Sequence, residues 1–231
     1  MPMKKYDIFL FDADNTLFDY DKAEANALKA MFESYGFDYS ERIHLKYRDF
    51  NSQVWTQYEK NEITKEELQT VRFKRLFDYA GIGADEKTFN EKYLYELGKG
   101  SFLIPGAFEI CRDIVSMGKR IYIVTNGMLT TQQSRIQNSQ IKDYISDFFV
   151  SEHIGFQKPH ISYFEHVFAS IPGFEKSKAL IIGDSLSADI AGGNNSGIDS
   201  CWLNTSRKKN DTDIIPIYEI SELVELHRFT D

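Results

Sequence analysis

The chain has 231 residues, of which 42% are hydrophobic, 14% are aromatic and 27% are charged. These values are typical of a globular protein with one large domain, or with a domain that carries an insert, and they exclude a mainly disordered or collagen-like chain. The formal net charge of -8 argues against a nucleic-acid polymer or an anionic membrane as a partner. A small anionic ligand remains compatible with this charge if a metal ion compensates it locally.

Cysteine usage and hydropathy predict a protein of the reducing cytoplasm. Cys111 and Cys201 form no CxxC pair, so a disulfide framework or a thiolate zinc site has nothing to build on. The apolar run at 8–11 is shorter than the roughly 7 to 15 residues of a signal peptide, and no stretch approaches the ~18 apolar residues of a membrane span. We therefore expect a cytoplasmic location and no membrane partner.

The first predicted element is a strand at 6–11, an apolar run that is typical of a strand buried on both faces of a parallel sheet. From about residue 21 to residue 98, apolar residues recur with a helical period. Within this block, Thr64 and Glu67 predict a capping box, and Asp85 predicts the start of a further helix. No strand pattern interrupts the block, so we expect it to be entirely helical.

Beyond Pro105, short apolar runs alternate with helical stretches. The runs predict four more buried strands, at 121–124, 148–150, 180–182 and 201–203. Strands that alternate with helices indicate an α/β fold with a doubly wound parallel sheet, into which an all-helical cap domain is inserted after the first strand. We place the core at 1–18 and 100–231, and the cap at 19–99.

Polar residues follow directly after several of these predicted strands. The carboxyl ends of parallel strands share one edge of the sheet, where ligands bind in open α/β folds. Carboxylates and a lysine should therefore meet there, together with shorter polar side chains. The segments that follow the strands contain Asp12, Asp14, Thr16, Thr125, Asn126, Lys158, Asp184 and Asp189.

Carboxylates that are crowded in this way repel one another unless a cation neutralises them. Ligation by oxygen atoms alone, from few protein groups, suits Mg²⁺, which keeps several waters and accepts phosphate oxygens, whereas zinc is a poor fit. An exposed aspartate as nucleophile, a second carboxylate to move protons and a lysine to hold an anion are the groups that phosphoryl transfer requires. The pattern therefore predicts an enzyme with Mg²⁺ as its cofactor.

These motifs resemble the haloacid dehalogenase (HAD) superfamily of phosphatases with an aspartate nucleophile. The resemblance covers the whole chain, and the four motifs occur in order at Asp12-x-Asp14-x-Thr16, Thr125, Lys158 and Asp184 with Asp189. The helical insert between the first two motifs looks like the C1 cap of that superfamily. The strings FDADNTLF, VTNG and GDSLSADI resemble the branch of YjjG and YfnB, whose members include pyrimidine nucleoside 5'-monophosphatases.

The resemblance implies a role for each motif residue. Asp12 would attack phosphorus, and Asp14 would protonate the leaving alkoxide and then activate water. Magnesium would be held by Asp12, the main-chain carbonyl of Asp14 and Asp184, while Asp189 would orient these groups. The phosphoryl oxygens would be held by Thr125, the amide of Asn126 and Lys158.

The sequence leaves other functions open. Hydrolysis of another small phosphoester such as a sugar phosphate, or a phosphomutase reaction, would use the same motifs. A 2-haloacid dehalogenase would use the nucleophile without an acid, which Asp14 argues against, and a non-catalytic binding module would typically lack one of the acidic motif residues. Neither the substrate nor the oligomeric state can be read from the sequence.

Overall fold

The computed structural model describes residues 4–60 and 62–230 of the chain. Residues 1–3 of the predicted core, residue 61 of the predicted cap and residue 231 lie outside this description. In the described ranges, six strands form one sheet in the order β3-β2-β1-β4-β5-β6, and each neighbouring pair is parallel. The strands are β1 Ile8–Phe11, β2 Arg120–Thr125, β3 Ile145–Val150, β4 Ala179–Gly183, β5 Asp199–Leu203 and β6 Tyr218–Ile220.

The central strand β1 is buried on both faces, as its continuous apolar sequence predicts. Phe9 and Phe11 belong to a hydrophobic cluster on one face of the sheet. Ile8 and Leu10 belong to a second cluster on the opposite face. Because successive strand residues point to opposite sides, helices cover both faces of the sheet, and the predicted doubly wound α/β fold is confirmed.

The α-helices outside the insert lie between the strands in the order of the chain. They are α5 Ala107–Ser116, α6 Leu129–Gln137, α7 Ser151–Ile154, α8 Ile161–Ser170 and α9 Ala191–Ser196. Short 3₁₀ segments lie at Lys142–Tyr144, Lys176–Lys178 and Leu223–Phe229, and Leu186–Ile190 forms a π-helical turn. The described helices include none with the length and apolar character of a membrane span.

The chain divides into two compact units, and the second of them is Asp21–Gly100. Nearly all of this unit is helical, as predicted, and its described residues form no strand. The helices are α1 Tyr20–Tyr35, which begins one residue before the unit, α2 Glu41–Glu59, α3 Lys65–Ala80 and α4 Glu86–Gly98.

Both predicted helix starts of the insert are confirmed. Thr64 accepts a hydrogen bond from the amide of Glu67, and the Glu67 side chain accepts one from the amide of Thr64, at 3.2 and 2.8 Å. Asp85 accepts a hydrogen bond from the amide of Thr88 at 2.8 Å. These contacts satisfy amide donors that have no partner within their own helix.

The prediction of five strands was wrong by one, because the sheet continues through β6. Cys201 to Leu203 of β5 pair with Tyr218 to Ile220 of this short strand. Of its three residues only Ile220 is buried, and Glu219 is exposed. Three residues are fewer than the four to eight over which strand alternation can be recognised, and Pro216 interrupts the apolar residues that precede this edge strand.

Candidate active site

The first and fourth strands bring two of the predicted aspartates to the same edge of the sheet. Asp12 follows β1, and its amide donates to the carbonyl oxygen of Ile182 in β4 at 2.8 Å, which extends the pairing of the two strands by one residue. Asp184 follows β4 directly. The two carboxylates therefore leave adjacent strands at their carboxyl ends, where the sequence predicted them.

Lys158 lies at the centre of the site and is almost completely buried, with 1% of its surface exposed. Its ammonium group donates to a carboxylate oxygen of Asp12 and to one of Asp189, each at 2.6 Å, and to the carbonyl oxygen of Val124 at 2.8 Å. These three acceptors match the three N–H donors of a lysine. Burial opposes the charge of Lys158, but the two carboxylates outweigh it and raise the pKa of the ammonium group.

Asp189 lies on the π-helical turn after β4, and both of its carboxylate oxygens accept hydrogen bonds. One accepts from Lys158, and the other accepts from the amide of Ser185 at 3.1 Å. A Cβ atom at Gly183 would overlap the Asp189 carboxylate, so a glycine at the end of β4 is what allows this close approach. Asp189 thus connects Lys158 to the turn after β4, and its role in orienting the metal-binding groups stays a prediction.

Three carboxylates at this site could hold a metal ion. Asp12, Asp184 and Asp189 each offer an oxygen, and these oxygens lie within 4.8 Å of one another. Asp12 and Asp189 are buried, whereas Asp184 is exposed to solvent, so the expectation of an exposed nucleophile was wrong. All of the donors are oxygen atoms, which suits Mg²⁺ better than zinc.

The electrostatics of the cluster also fit a divalent cation. Loss of water on burial raises the pKa of Asp12 well above its usual value, against the opposing effect of Lys158, and repulsion from Asp189 and Asp184 adds to the rise. Partial loss of water and the charge of Asp189 raise the pKa of Asp184 to about 7. One ammonium group therefore does not balance three carboxylates, and a divalent cation would relieve the repulsion.

Thr125, the last residue of β2, and Asn126, which follows it, form hydrogen bonds to the turn after the strand and to Lys158. Asn126 holds the main chain of Lys158, since its side-chain amide donates to the Lys158 carbonyl oxygen at 3.0 Å and its side-chain oxygen accepts from the Lys158 amide at 2.9 Å. Thr125 is buried, and its hydroxyl oxygen accepts from the amide of Gly127 at 3.0 Å. Asn126 thus connects the second motif to the third through its side chain, which the sequence did not predict.

Asp14 contacts two residues of α6 that were not predicted from the sequence. Gln132 donates to one of its carboxylate oxygens at 2.6 Å, and Arg135 donates to the other. Asp14 is still near enough for its charge to raise the pKa of Asp12 and Asp184. The signal in the sequence was a polar residue and a charged residue on the face of α6 that also carries buried Ile136.

The protein has a parallel sheet, a helical insert after the first strand, and carboxylates and a lysine at one edge of the sheet. This combination defines its class as a hydrolase with an α/β core. The family model described as "Haloacid dehalogenase-like hydrolase" matches residues 9–203. The chain therefore belongs to this family, as the sequence motifs predicted.

The chain is also similar over almost its full length to three curated proteins. It is 41% identical to YfnB of Bacillus subtilis, with 97% of this chain and 95% of YfnB covered. It is 35% identical to the pyrimidine 5'-nucleotidase PynA of Streptococcus pneumoniae, with 96% of this chain and 93% of PynA covered. It is 30% identical to the pyrimidine 5'-nucleotidase YjjG of Escherichia coli, with 97% of each chain covered. The predicted resemblance to the branch of YjjG and YfnB is confirmed.

A solved structure agrees with these similarities. A crystal structure of YfnB bound to magnesium matches the fold with a TM-score of 0.92 at 40% sequence identity, and the match covers 97% of this chain and 98% of that one. The predicted fold class is thereby confirmed a second time, by comparison with a known structure.

Proposed function

We propose that the protein is a Mg²⁺-dependent phosphomonoesterase that acts through an aspartyl phosphate on Asp12, with pyrimidine nucleoside 5'-monophosphates as substrates. The observation that carries the proposal is the buried contact of Lys158 with Asp12, beside Asp184 and Asp189. A phosphoryl group in transfer is negatively charged and needs fixed positive charge around it. The names of PynA and YjjG as pyrimidine 5'-nucleotidases support the choice of substrate.

In the first step, a carboxylate oxygen of Asp12 forms a bond to phosphorus while the bond from phosphorus to the leaving oxygen breaks. Asp14 donates a proton to that oxygen, so a neutral alcohol leaves instead of an alkoxide. Burial of Asp12 keeps bulk water away from the nucleophile. The Thr125 hydroxyl can donate to a phosphoryl oxygen, because it only accepts in its contact with Gly127.

In the second step, a water molecule attacks the phosphorus of the aspartyl phosphate. Asp14, which gave up its proton in the first step, accepts a proton from this water. The bond between phosphorus and the Asp12 oxygen then breaks, inorganic phosphate leaves, and the carboxylate of Asp12 is restored. Through both steps the amide of Asn126 holds a phosphoryl oxygen, and the ammonium group of Lys158, whose three N–H groups contact Asp12, Asp189 and Val124, supplies positive charge beside the phosphoryl group.

Asp12, Asp184 and the main-chain carbonyl of Asp14 would hold the Mg²⁺ ion. When bound, the ion supplies positive charge to the phosphoryl oxygens and offsets the repulsion among the carboxylates. The contacts of Asp189 with Lys158 and Ser185 keep these groups in place.

Removal of divalent cations is expected to lower turnover by about 10²-fold or more, because the phosphoryl oxygens then lack a fixed positive charge. The measurement is phosphate release after treatment with EDTA and desalting. Added Mg²⁺ should restore turnover, and Ca²⁺ should restore less of it, since Ca²⁺ is larger and prefers more ligands. Full turnover in the chelated protein, with metal content verified by mass spectrometry, would contradict the proposed cofactor.

A panel of phosphate monoesters tests the substrate. We expect kcat/KM for UMP, CMP and dTMP to exceed that for AMP and GMP by about tenfold or more, since a single favourable interaction with one group of a substrate typically changes kcat/KM by this factor. The panel should also contain sugar phosphates. If a sugar phosphate is hydrolysed faster than the nucleotides, the substrate is a sugar phosphate and the phosphatase reaction stands. If phosphate instead moves from one position to another within the sugar phosphate, the enzyme is a mutase.

Two functions outside phosphate chemistry are tested by the same protein sample. Release of halide from a 2-haloacid would indicate a dehalogenase, although a halide leaves without a proton and would give Asp14 no function. No turnover of any ester in the presence of Mg²⁺ would overturn the proposed enzyme and favour a binding module. The carboxylates of the first and fourth motifs and the lysine of the third are all present in the chain, which argues against that outcome.

A further inference from the structure

We propose that Gln132 and Arg135 are positioning residues for the reaction, which hold the carboxyl group of Asp14 in one orientation from the side of α6. The inference rests on the proposed phosphatase function, because it assigns a task to the residue that moves protons in that reaction. Gln132 donates to one oxygen of Asp14 at 2.6 Å, and Arg135 donates to the other.

The two side chains reach Asp14 because they lie three residues apart on one face of α6, which begins shortly after the end of β2. Residues at this spacing are neighbours on a helix surface. Gln132 and Arg135 are both buried, with exposed fractions of 1% and 0%, whereas the side chain of Asp14 keeps 28% of its surface exposed. Buried donors therefore hold the inner side of a carboxyl group whose other side remains open.

The position of Arg135 is itself fixed. Its guanidinium carbon lies 4.9 Å from the centre of the Phe18 ring and 6.0 Å from the centre of the Tyr20 ring. A planar guanidinium that packs against aromatic rings loses little freedom when it binds a carboxylate. A buried arginine is also costly without a carboxylate partner, and Asp14 is the carboxylate that Arg135 contacts.

The contacts leave Asp14 able to react. A carboxylate has about four lone-pair positions, and the two donors occupy one on each oxygen. The remaining positions can carry a proton to the leaving oxygen or accept one from water. An aspartate without these donors would rotate about its side-chain bonds, and a displacement of about 1 Å can cost a factor on the order of 10² in rate.

The backbone after β2 leaves room for this arrangement. A Cβ atom at Gly127 would overlap the side-chain amide of Gln132, which is the group that donates to Asp14. Glycine at this position of the second motif thus allows Gln132 to reach the first motif. Gly127→Ala should therefore disturb Asp14 through Gln132, although residue 127 itself does not contact Asp14 in the described hydrogen bonds.

The test compares two esters that differ in their need for an acid. A nucleoside monophosphate releases a strongly basic alkoxide, which needs a proton from Asp14, whereas p-nitrophenyl phosphate releases a weakly basic aryloxide, which does not. The quantity measured is kcat/KM, since it reports formation of the aspartyl phosphate and release of the first product. Asp14→Asn provides the reference for complete loss of the acid.

We expect Gln132→Met to lower kcat/KM for the nucleotide by about tenfold and to leave the value for the aryl ester within about twofold of wild type. Gly127→Ala should give the same selective loss. Gln133→Met is the matched control, because Gln133 is exposed on the same helix, and it should change neither ester. Arg135→Lys, which keeps the charge but loses the guanidinium geometry, should also affect the nucleotide more strongly.

Two outcomes distinguish this inference from the function on which it rests. If wild-type protein hydrolyses both esters and Asp14→Asn shows the selective loss, but Gln132→Met and Arg135→Lys lower both esters equally or neither, the two residues are only structural and the inference is wrong. If wild-type protein hydrolyses neither ester, the proposed function fails and the inference fails with it.

Discussion

Asp12→Asn is expected to lower phosphatase turnover by a factor on the order of 10⁴ or more, which is typical of the removal of a nucleophile. An asparagine amide has nearly the same size as the carboxylate but is too weak a nucleophile to form an acyl phosphate. Lys158 keeps its contact with Asp189 in this variant, so we expect the fold to remain intact. The measurements are steady-state phosphate release and mass spectrometry of the protein after rapid acid quenching.

The wild-type protein should show the added mass of a phosphoryl group in the quenched sample, and Asp12→Asn should not. Asp143→Asn is a suitable control, since Asp143 is an exposed carboxylate on a 3₁₀ segment and should retain full turnover. Equal activity of Asp12→Asn and wild type would remove the proposed mechanism.

Lys158→Met is expected to reduce both turnover and stability. The substitution leaves Asp12 and Asp189 buried without the ammonium group that lies 2.6 Å from each of them. Breaking a buried ion pair by removal of one partner typically costs about 3 to 5 kcal/mol, and loss of a fixed charge at a reacting group costs about 10²-fold or more in rate. The free energy of unfolding in urea measures the first effect, and phosphate release measures the second.

The control for this prediction is Lys142→Met, which removes an exposed lysine and should change neither quantity. A second variant, Lys158→Arg, keeps the positive charge and separates the two effects, because it should recover stability better than turnover. If Lys158→Met were as stable as wild type, the buried contacts of the ammonium group would not contribute to the fold as the geometry indicates.

Much of the site was predictable because each motif residue follows an apolar run that could be recognised as a strand. Asp12 after β1 and Asp184 after β4 are examples, since parallel strands with recognisable ends place the next residues at one edge. Lys158 was predicted in the same way, from its place after the third run. The assignment of roles to these residues came from the family resemblance, and the roles stay proposals that the variants above test.

Other parts of the site could not be predicted, because they depend on contacts between distant residues. Gln132 and Arg135 look like ordinary polar residues of a helix, and their partner Asp14 is more than a hundred residues away. The side-chain bridge from Asn126 to the main chain of Lys158 is of the same kind. Strand β6 was missed for a local reason, since three residues are too few for their alternation to be recognised and Pro216 interrupts the apolar residues before them.

The sequence by itself determined the α/β fold with its helical insert, and it determined which aspartates and which lysine gather at the end of the sheet. It could do so because strand burial and helix capping depend on residues that are close together in the chain. Only the tertiary structure decided how these groups are paired: the ammonium group of Lys158 bridges two carboxylates, and α6 holds Asp14 from the side. Hydrogen bonds act over about 3 Å, and it is the packing of whole elements that brings residues so far apart in sequence within that distance.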